Sequence, residues 1–411
     1  MRENTPPSSP FFERDDMNED QDMDDDGEDD ELIYVGDADE VLNALEAESD
    51  DDDEAAGVNE NIDEEYVPTR DDSVLTFSTH EGPVFCGSFH PTQNLAVTGG
   101  EDDKAYVWST ETGNVVFAVE GHKDSIIAAE FSADGNYLAT GDMAGYIQVF
   151  KLSQDYKKVW EFEMGDMSWL QWHIAASVLF AGSDTGETYV WRIPSGDCKV
   201  LQGNGSKTEV GQLTADGKSL IVGYSDGCVK LWDIKSSTVI QNYEENTTLG
   251  HSGSITSIAA DPDNGRFLTG SEDGKIMIAN SNGPLTNLFP SAGSVEALAF
   301  SSEKNDDLKL LACGTLEGKV SLWDVNRQAI RFQCQNDDPT GITKIVWGPN
   351  YAVLCATLDG SIRIFDGRNG ASKNHLEGHA AELYDIKYKT STNQVLTTSE
   401  DRTAKIFKLD S

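Results

Sequence analysis

From Ser73 onward the chain alternates short apolar runs with turns rich in Gly, Asp, Asn and Ser. The runs are too short for helices and carry strand-type alternation, so the pattern predicts an all-β body. The runs also recur with a period. A bulky residue closes each unit at Trp108, Phe150, Trp191, Trp232, Ile278, Trp323, Phe365 and Phe407, at intervals of 42, 41, 41, 46, 45, 42 and 42 residues. That is the length of one four-stranded propeller blade. A single small sheet cannot bury both of its faces, so neighbours must stack and the ring must shut. Eight closing residues therefore predict an eight-bladed β-propeller. The last unit stops at Phe407-Lys408-Leu409-Asp410-Ser411, with no length left for an outer strand. The alternating segment Ser73–Ser78 precedes the first unit, and we expect residues 73–79 to close the last blade.

Residues 1–72 lack this pattern. They hold 30 acidic and three basic residues, in runs such as Asp24-Asp25-Asp26 and Asp50-Asp51-Asp52-Asp53-Glu54. Such runs repel one another and bury nothing, which predicts a disordered acidic tail over 1–72 and a propeller over 73–411. The tail is expected to leave the ring beside the first and last blades. Two apolar islands interrupt it, Leu32-Ile33-Tyr34-Val35 and Val41-Leu42 with Leu45. The second has helical spacing suited to docking. Thr5-Pro6 and Ser9-Pro10 have the form of proline-directed phosphorylation sites.

Charge narrows the partner class. The net charge is −43, from 30 Lys+Arg against 73 Asp+Glu. No basic excess is available to neutralise phosphates, which argues against direct DNA binding and against an anionic membrane surface. A basic protein or peptide is the partner that this field attracts. No apolar run is long enough to span a membrane, and Met1-Arg2-Glu3-Asn4-Thr5-Pro6-Pro7 does not read as a secretory signal. The six cysteines (Cys86, Cys198, Cys228, Cys313, Cys334, Cys355) are scattered without a CxxC pair. They suit a reduced, cytoplasmic, monomeric protein better than a disulfide framework or a zinc site.

Finer motifs repeat with the blades. Gly-His opens units at Gly121-His122, Gly250-His251 and Gly378-His379, with Thr79-His80 in its place in the first. Trp-Asp occurs at Trp232-Asp233 and Trp323-Asp324, and Phe-Asp at Phe365-Asp366. A turn Asp precedes the closing residue at Asp102, Asp226, Asp273, Asp359 and Asp401. The His-to-Asp offset is 22 for His80–Asp102, His251–Asp273 and His379–Asp401. These motifs resemble the WD-repeat family. The resemblance implies that His and Asp bond through a Ser or Thr toward a Trp such as Trp108, pinning a tight turn. It makes all these residues scaffold. The pattern has gaps: Ala144, Thr185 and Glu317 stand where the turn Asp belongs, so those blades need other bonds.

In a WD propeller the repeat also assigns the residues that face one end of the channel. They are the two residues flanking the first apolar residue of the inner strand, and the residue before the turn Asp. The pre-turn residues are Glu101, Met143, Asp184, Ser225, Glu272, Leu316, Leu358 and Glu400. Of the 24 positions eight are acidic, adding Asp166, Glu209, Glu296 and Glu382, and one is basic, Lys207. With 43 acids in 339 body residues, about three would be expected. Glu101, Glu382 and Glu400 should meet Phe85 and Tyr384 where the last blade joins the first. Carboxylates beside aromatic rings suit Arg and Lys. No P-loop, H-E-x-x-H or other catalytic set is present, and the G-x-S-x-G string Gly223-Tyr224-Ser225-Asp226-Gly227 falls at a blade turn and not between a strand and a helix, so no enzyme, cofactor or metal is expected. Met164 to Trp172 reads as an inner strand of the core.

Several stretches sharpen the match. Thr98-Gly99-Gly100-Glu101-Asp102-Asp103-Lys104-Ala105, Gly121-His122-Lys123-Asp124-Ser125, Ala139-Thr140-Gly141-Asp142-Met143, Gly196-Asp197-Cys198-Lys199 and Val222-Gly223-Tyr224-Ser225-Asp226-Gly227 resemble the angio-associated migratory cell protein family. That family is similar to a fungal eight-bladed protein that escorts a large-subunit ribosomal protein, gripping its basic N-terminal segment on an acidic face. The resemblance implies the same work here: a dedicated chaperone in ribosome biogenesis. It assigns partner binding to Glu101, Asp166, Asp184, Glu272, Glu296, Glu382 and Glu400, supported by Phe85 and Tyr384. The animal family is also associated with cell migration and angiogenesis, so the alternative is a WD-repeat signalling scaffold.

Overall fold

A computed structural model describes residues 68–245, 250–263, 265–284, 289–291, 293–301, 309–335 and 339–409. The apolar islands, the phosphorylation dipeptides and most of the acidic tail lie outside the described residues.

Eight antiparallel sheets follow one another along the chain. Blade 1 is Val84–Phe89, Leu95–Gly100, Ala105–Ser109 and Val115–Val119, each strand pairing with the next. Blades 2, 3, 4 and 6 repeat that meander, from inner strands Ile126–Phe131, Met167–Trp172, Thr208–Leu213 and Val295–Phe300; blade 5, from Ile255–Ala260, carries two short outer strands, Gly283–Pro284 and Phe289–Pro290, both paired with Lys275–Asn280. Blade 7 has three strands, Ile342–Trp347, Ala352–Thr357 and Ile362–Asp366. The chain beyond them touches its edge through bridges Phe365–Ser372 and Ile362–Leu376. Blade 8 is Leu383–Lys389, Gln394–Ser399 and Ala404–Lys408, and its outer strand is Leu75–Phe77 from the other end of the sequence. Each inner strand touches those of the blades on either side, and that of blade 8 touches that of blade 1, so the ring is closed.

The apolar runs follow from burial on both sheet faces. Successive side chains of a strand point to opposite faces. In Leu95–Gly100, Ala96 enters the core shared with blade 8, and Val97 the core shared with blade 2. Each of the eight seams holds one such apolar layer. Met167, Leu170 and Trp172 are buried in the layer between blades 2 and 3, as the reading of Met164 to Trp172 as core anticipates.

The closing residues also face defined seams. Trp108 sits opposite Ala96, and Trp323 opposite Leu311. The equivalent pair in blade 5 is Phe267 with Ala279. The closing position there is therefore Ala279, not Ile278. Ala279 faces blade 4, as the closing position requires, while Ile278 faces blade 6. Alanine is too small to stand out in a pattern of bulky closing residues, and Phe267 supplies the missing volume from the neighbouring strand.

Polar staples hold the turns. In blade 1, His80 Nδ1 lies 3.0 Å from Asp102, His80 Nε2 lies 3.0 Å from Thr98 Oγ1, and Trp108 Nε1 donates to the same hydroxyl at 3.3 Å. Blades 5 and 8 repeat the first two links with His251, Asp273 and Thr269, and with His379, Asp401 and Thr397. Blade 2 departs from the sequence expectation in an instructive way. His122 does not lack a carboxylate: Asp142, two residues before Ala144, lies 3.0 Å from Nδ1, and Thr140 lies 2.9 Å from Nε2. Asp142 also accepts from the Tyr146 amide at 2.8 Å, so one carboxylate closes both sides of the turn. In blade 4, which has no such His, Asp226 accepts from Ser206 and Asn204 instead. In blade 7, Asp359 accepts from Thr357, Ser361 and Arg363. The Trp323 indole N–H donates to Ser321 Oγ at 2.9 Å.

The closing strand is tied at both ends. The Phe77 ring is 2% exposed and stacks on Trp108 at 4.7 Å, bridging blade 8 to blade 1. Upstream, Asp71 pairs with the buried Lys405 at 2.7 Å, and Asp72 and Glu377 exchange bonds through their backbone amides.

Candidate peptide-binding face

One backbone bond recurs eight times and defines an end of the ring. The amide of each pre-turn residue donates to the carbonyl of the residue before the inner strand. The pairs are Glu101–Pro83, Met143–Ser125, Asp184–Asp166, Ser225–Lys207, Glu272–Ser254, Leu316–Ser294, Leu358–Gly341 and Glu400–Glu382, at 2.9 to 3.1 Å. Blades 3 and 4 keep the same register without a Gly-His anchor.

A second regularity was not legible in the sequence. Every inner strand carries a β-bulge between its first and third residues. The residue left out of register is Phe85, Ile127, Ser168, Glu209, Thr256, Glu296, Thr343 or Tyr384 in successive blades. A bulge bends the strand and re-aims the side chain it carries. Bulge and turn together therefore set three residues per blade at this end.

Where blade 8 meets blade 1 these positions converge. The Tyr384 and Phe85 rings lie 5.4 Å apart and tilted by 58°. The Tyr384 hydroxyl donates to Glu400 Oε2 at 2.7 Å. Burial, then the bond to Glu400 and the charges of Glu400, Glu382 and Glu101, push the Tyr384 phenol well above its ordinary value. It therefore remains a donor at any physiological pH. Glu101 and Glu400 are exposed and Glu382 is half-buried. The Glu101 side chain folds across Gly82, where a Cβ would come within 2.9 Å of its carboxylate. Three carboxylates and two aromatic rings thus share one patch. Guanidinium groups bind such a patch through paired hydrogen bonds and by stacking on rings.

The other candidate residues sit on other blades. Asp166 and Asp184 are exposed and joined by their backbone bond on blade 3, and Glu272 is exposed on blade 5. Glu296, on blade 6, accepts from Ser294 Oγ at 2.8 Å. Lys207, the single base among the 24 positions, is paired with Glu209 at 3.0 Å.

Farther along the inner strands the charges balance. Asp385 and Lys387 come within electrostatic reach of each other, of Glu130 and of Lys344. Lys387 donates to Asp385 at 3.1 Å, and the charge of Asp385 raises the Lys387 ammonium. Burial pushes the Glu130 carboxyl up and the Lys344 ammonium down. The uncompensated negative charge of the inner-strand region is therefore concentrated at the mouth. Among the described residues no cluster of His, Cys, Asp and Glu forms a metal site, and no helix is long and apolar enough to cross a membrane.

Known proteins match this architecture. The WD domain, G-beta repeat family matches residues 71–109, 113–151, 197–233, 243–280 and 370–408. The three blade units it passes over contain Thr185, Glu317 and the His-less Asp359 turn. The ribosome assembly protein SQT1 of Saccharomyces cerevisiae is 24% identical, over 89% of this chain and 93% of its own. Among solved structures, Sqt1 of Chaetomium thermophilum bound to the N-terminus of the ribosomal protein L10 superposes with a TM-score of 0.74. It is 22% identical and covers 83% of this chain and 100% of that one. The angio-associated migratory cell protein of Homo sapiens is 39% identical over 356 residues, 82% of this chain and 80% of its own length. With that identity over that span, the chain belongs to the angio-associated migratory cell protein family, built as an eight-bladed WD-repeat propeller.

Proposed function

We propose that this chain is a binding protein with no chemistry of its own, which holds the basic N-terminal segment of a newly made large-subunit ribosomal protein during ribosome assembly. The observation that carries the reading is the patch at the blade 8–1 seam, where Glu101, Glu382 and Glu400 surround Phe85 and Tyr384. It offers the client's Arg and Lys side chains carboxylates and ring faces together. Interface energy concentrates in a few such anchors. A similar propeller has been crystallised with the N-terminus of ribosomal protein L10, which supports the partner class. Asp166, Asp184, Glu272 and Glu296 extend the negative field around the mouth and steer the client in. The acidic N-terminal region raises the capture rate and shields the client from RNA. On this reading the protein works in the cytoplasm, as a monomer, on clients not yet assembled.

The test is mass spectrometry of proteins that copurify from ribosome-depleted cytosol, with the wild-type chain and with Glu101, Glu382 and Glu400 all changed to Lys. A basic ribosomal protein should be enriched on the first and lost from the second. Retention on the triple variant at moderate salt contradicts the assignment of the face. The name of the human relative favours a second reading, a scaffold in cell migration. Deleting residues 1–72 separates the two, because a scaffold keyed by its tail loses its partners outright, whereas an escort keeps its client with slower capture.

A further inference from the structure

Carboxylates do not fill the mouth evenly. In blade order from the sixth, the pre-turn residues are Leu316, Leu358, Glu400, Glu101, Met143 and Asp184. Apolar side chains flank the acidic pair on both sides. Leu316 and Met143 are 50% and 49% exposed, among the most exposed large apolar residues described. Leu358 is half-buried. The Leu358 side chain lies over Gly341, which the Leu316 backbone also approaches: a Cβ on Gly341 would lie 2.5 Å from Leu358 Cδ1 and 2.7 Å from the Leu316 carbonyl oxygen. The two pre-turn leucines thus stand on either side of the seam between blades 6 and 7, and supply an apolar pad one blade from Glu400. Single exposed apolar residues are ordinary, but a group of them continuous with a charged recognition patch marks an interaction surface.

We infer that this pad belongs to the same recognition surface, and that the ligand is an extended basic segment carrying a bulky apolar residue about three positions from its Arg or Lys. The inference rests on the basic-ligand reading above. Charge complementarity places the Arg or Lys at Glu400 and Glu101. Sheets pack about 10 Å apart and an extended chain advances about 3.3 Å per residue, so crossing one blade takes about three residues. The apolar side chain then lands on Leu316 and Leu358. Carboxylates alone accept any Lys-rich tail. The pad adds a requirement that most such tails fail, and specificity is a difference between affinities.

Calorimetric titration of the full chain with synthetic peptides tests this. One pair of peptides places Leu three residues before or after an Arg/Lys core, and a second pair has Ser there. On the wild-type chain the better Leu peptide should bind about tenfold tighter than its Ser counterpart, as burial of one leucine side chain provides. In the Leu316→Ser, Leu358→Ser double variant the two should bind within about twofold of each other, with the Ser peptide's affinity unchanged. The single variant Leu316→Ser, at a half-exposed position, should show a partial loss and guards against misfolding of the double one. Equal binding of Leu and Ser peptides to the wild-type chain overturns the inference and leaves the basic-ligand reading standing. A Leu preference that survives in both variants also overturns it. If none of the peptides binds the wild-type chain at low salt, the basic-ligand reading falls, and this one with it.

Discussion

The Tyr384 hydroxyl donates a 2.7 Å hydrogen bond to the Glu400 carboxylate. That bond fixes one oxygen of Glu400, while the ring stays beside Phe85. Tyr384→Phe removes the donor but keeps the ring, so basic-peptide affinity should fall by only a few-fold, in line with one hydrogen bond. Tyr384→Ala removes both and should cost tenfold or more. Calorimetric titration of the two variants checks the order. Equal losses would mean that the ring contributes nothing.

Blade 2 gives a sharp stability test. Asp142 serves His122 and the Tyr146 amide at once and is fully buried. Asp142→Ala leaves these donors unpaired and should destabilise the propeller by about 2–4 kcal/mol. Ala144→Asp restores the family motif but adds no missing bond, and should leave the melting temperature within about 1–2 °C of wild type. Denaturation of both variants decides whether the staple is at 142 or at 144.

Ring closure depends on Leu75–Phe77. Removal of residues 1–67 leaves every described contact of that strand in place and should hold the melting temperature. Removal of residues 1–79 strips the outer strand from blade 8 and the stacked ring from Trp108. That truncation should lower the melting temperature by 10 °C or more or abolish soluble expression, since losing a buried Phe alone costs about 3–5 kcal/mol. Phe77→Ala should fall between the two.

Acid stability follows from the same staples. Burial works against the Asp401 carboxylate, yet bonds from His379, Thr403 and the Ala380 amide bring it down to about 2, from an ordinary 3.8. Burial pushes His379 down as well, so the pair is a neutral imidazole donating from Nδ1 to a carboxylate. A depressed carboxyl binds its proton more readily in the unfolded chain. Its contribution, about 2 kcal/mol, is therefore complete above pH 3.8 and is lost as pH falls toward 2. Asp401→Asn should be less stable than wild type at pH 5 to 7 and should show a shallower loss of stability over pH 4 to 2, measured by urea unfolding.

Much of the fold is written in the chain because both faces of each blade are buried, which forces apolar runs at a constant interval. The scaffold His–Asp offset of 22 marked three turns whose bonds are present in the structure. What stayed hidden has physical causes. Ala279 carries too little bulk to announce a closing site. Asp142 does its work two residues early, and a carboxylate's reach makes either position workable. The inner-strand bulges leave no trace in the alternation, because one extra residue is absorbed inside a six-residue strand. The repeat still placed Glu101, Glu382 and Glu400 beside Phe85 and Tyr384, since turn and strand start are tied by a backbone bond that is indifferent to side chains. Leu316 and Leu358 stand among the same positions, but a charge pattern does not register exposed carbon.

The most direct test is the dissociation constant of a purified large-subunit ribosomal-protein N-terminal peptide, measured against salt, for wild type and for the variant with Glu101, Glu382 and Glu400 changed to Lys. The account predicts binding to wild type that weakens steeply as salt rises. It predicts a loss of at least a hundredfold in the variant, as expected for reversing three charges at the anchoring patch. Equal affinity in the two proteins, or wild-type binding indifferent to salt, would contradict it.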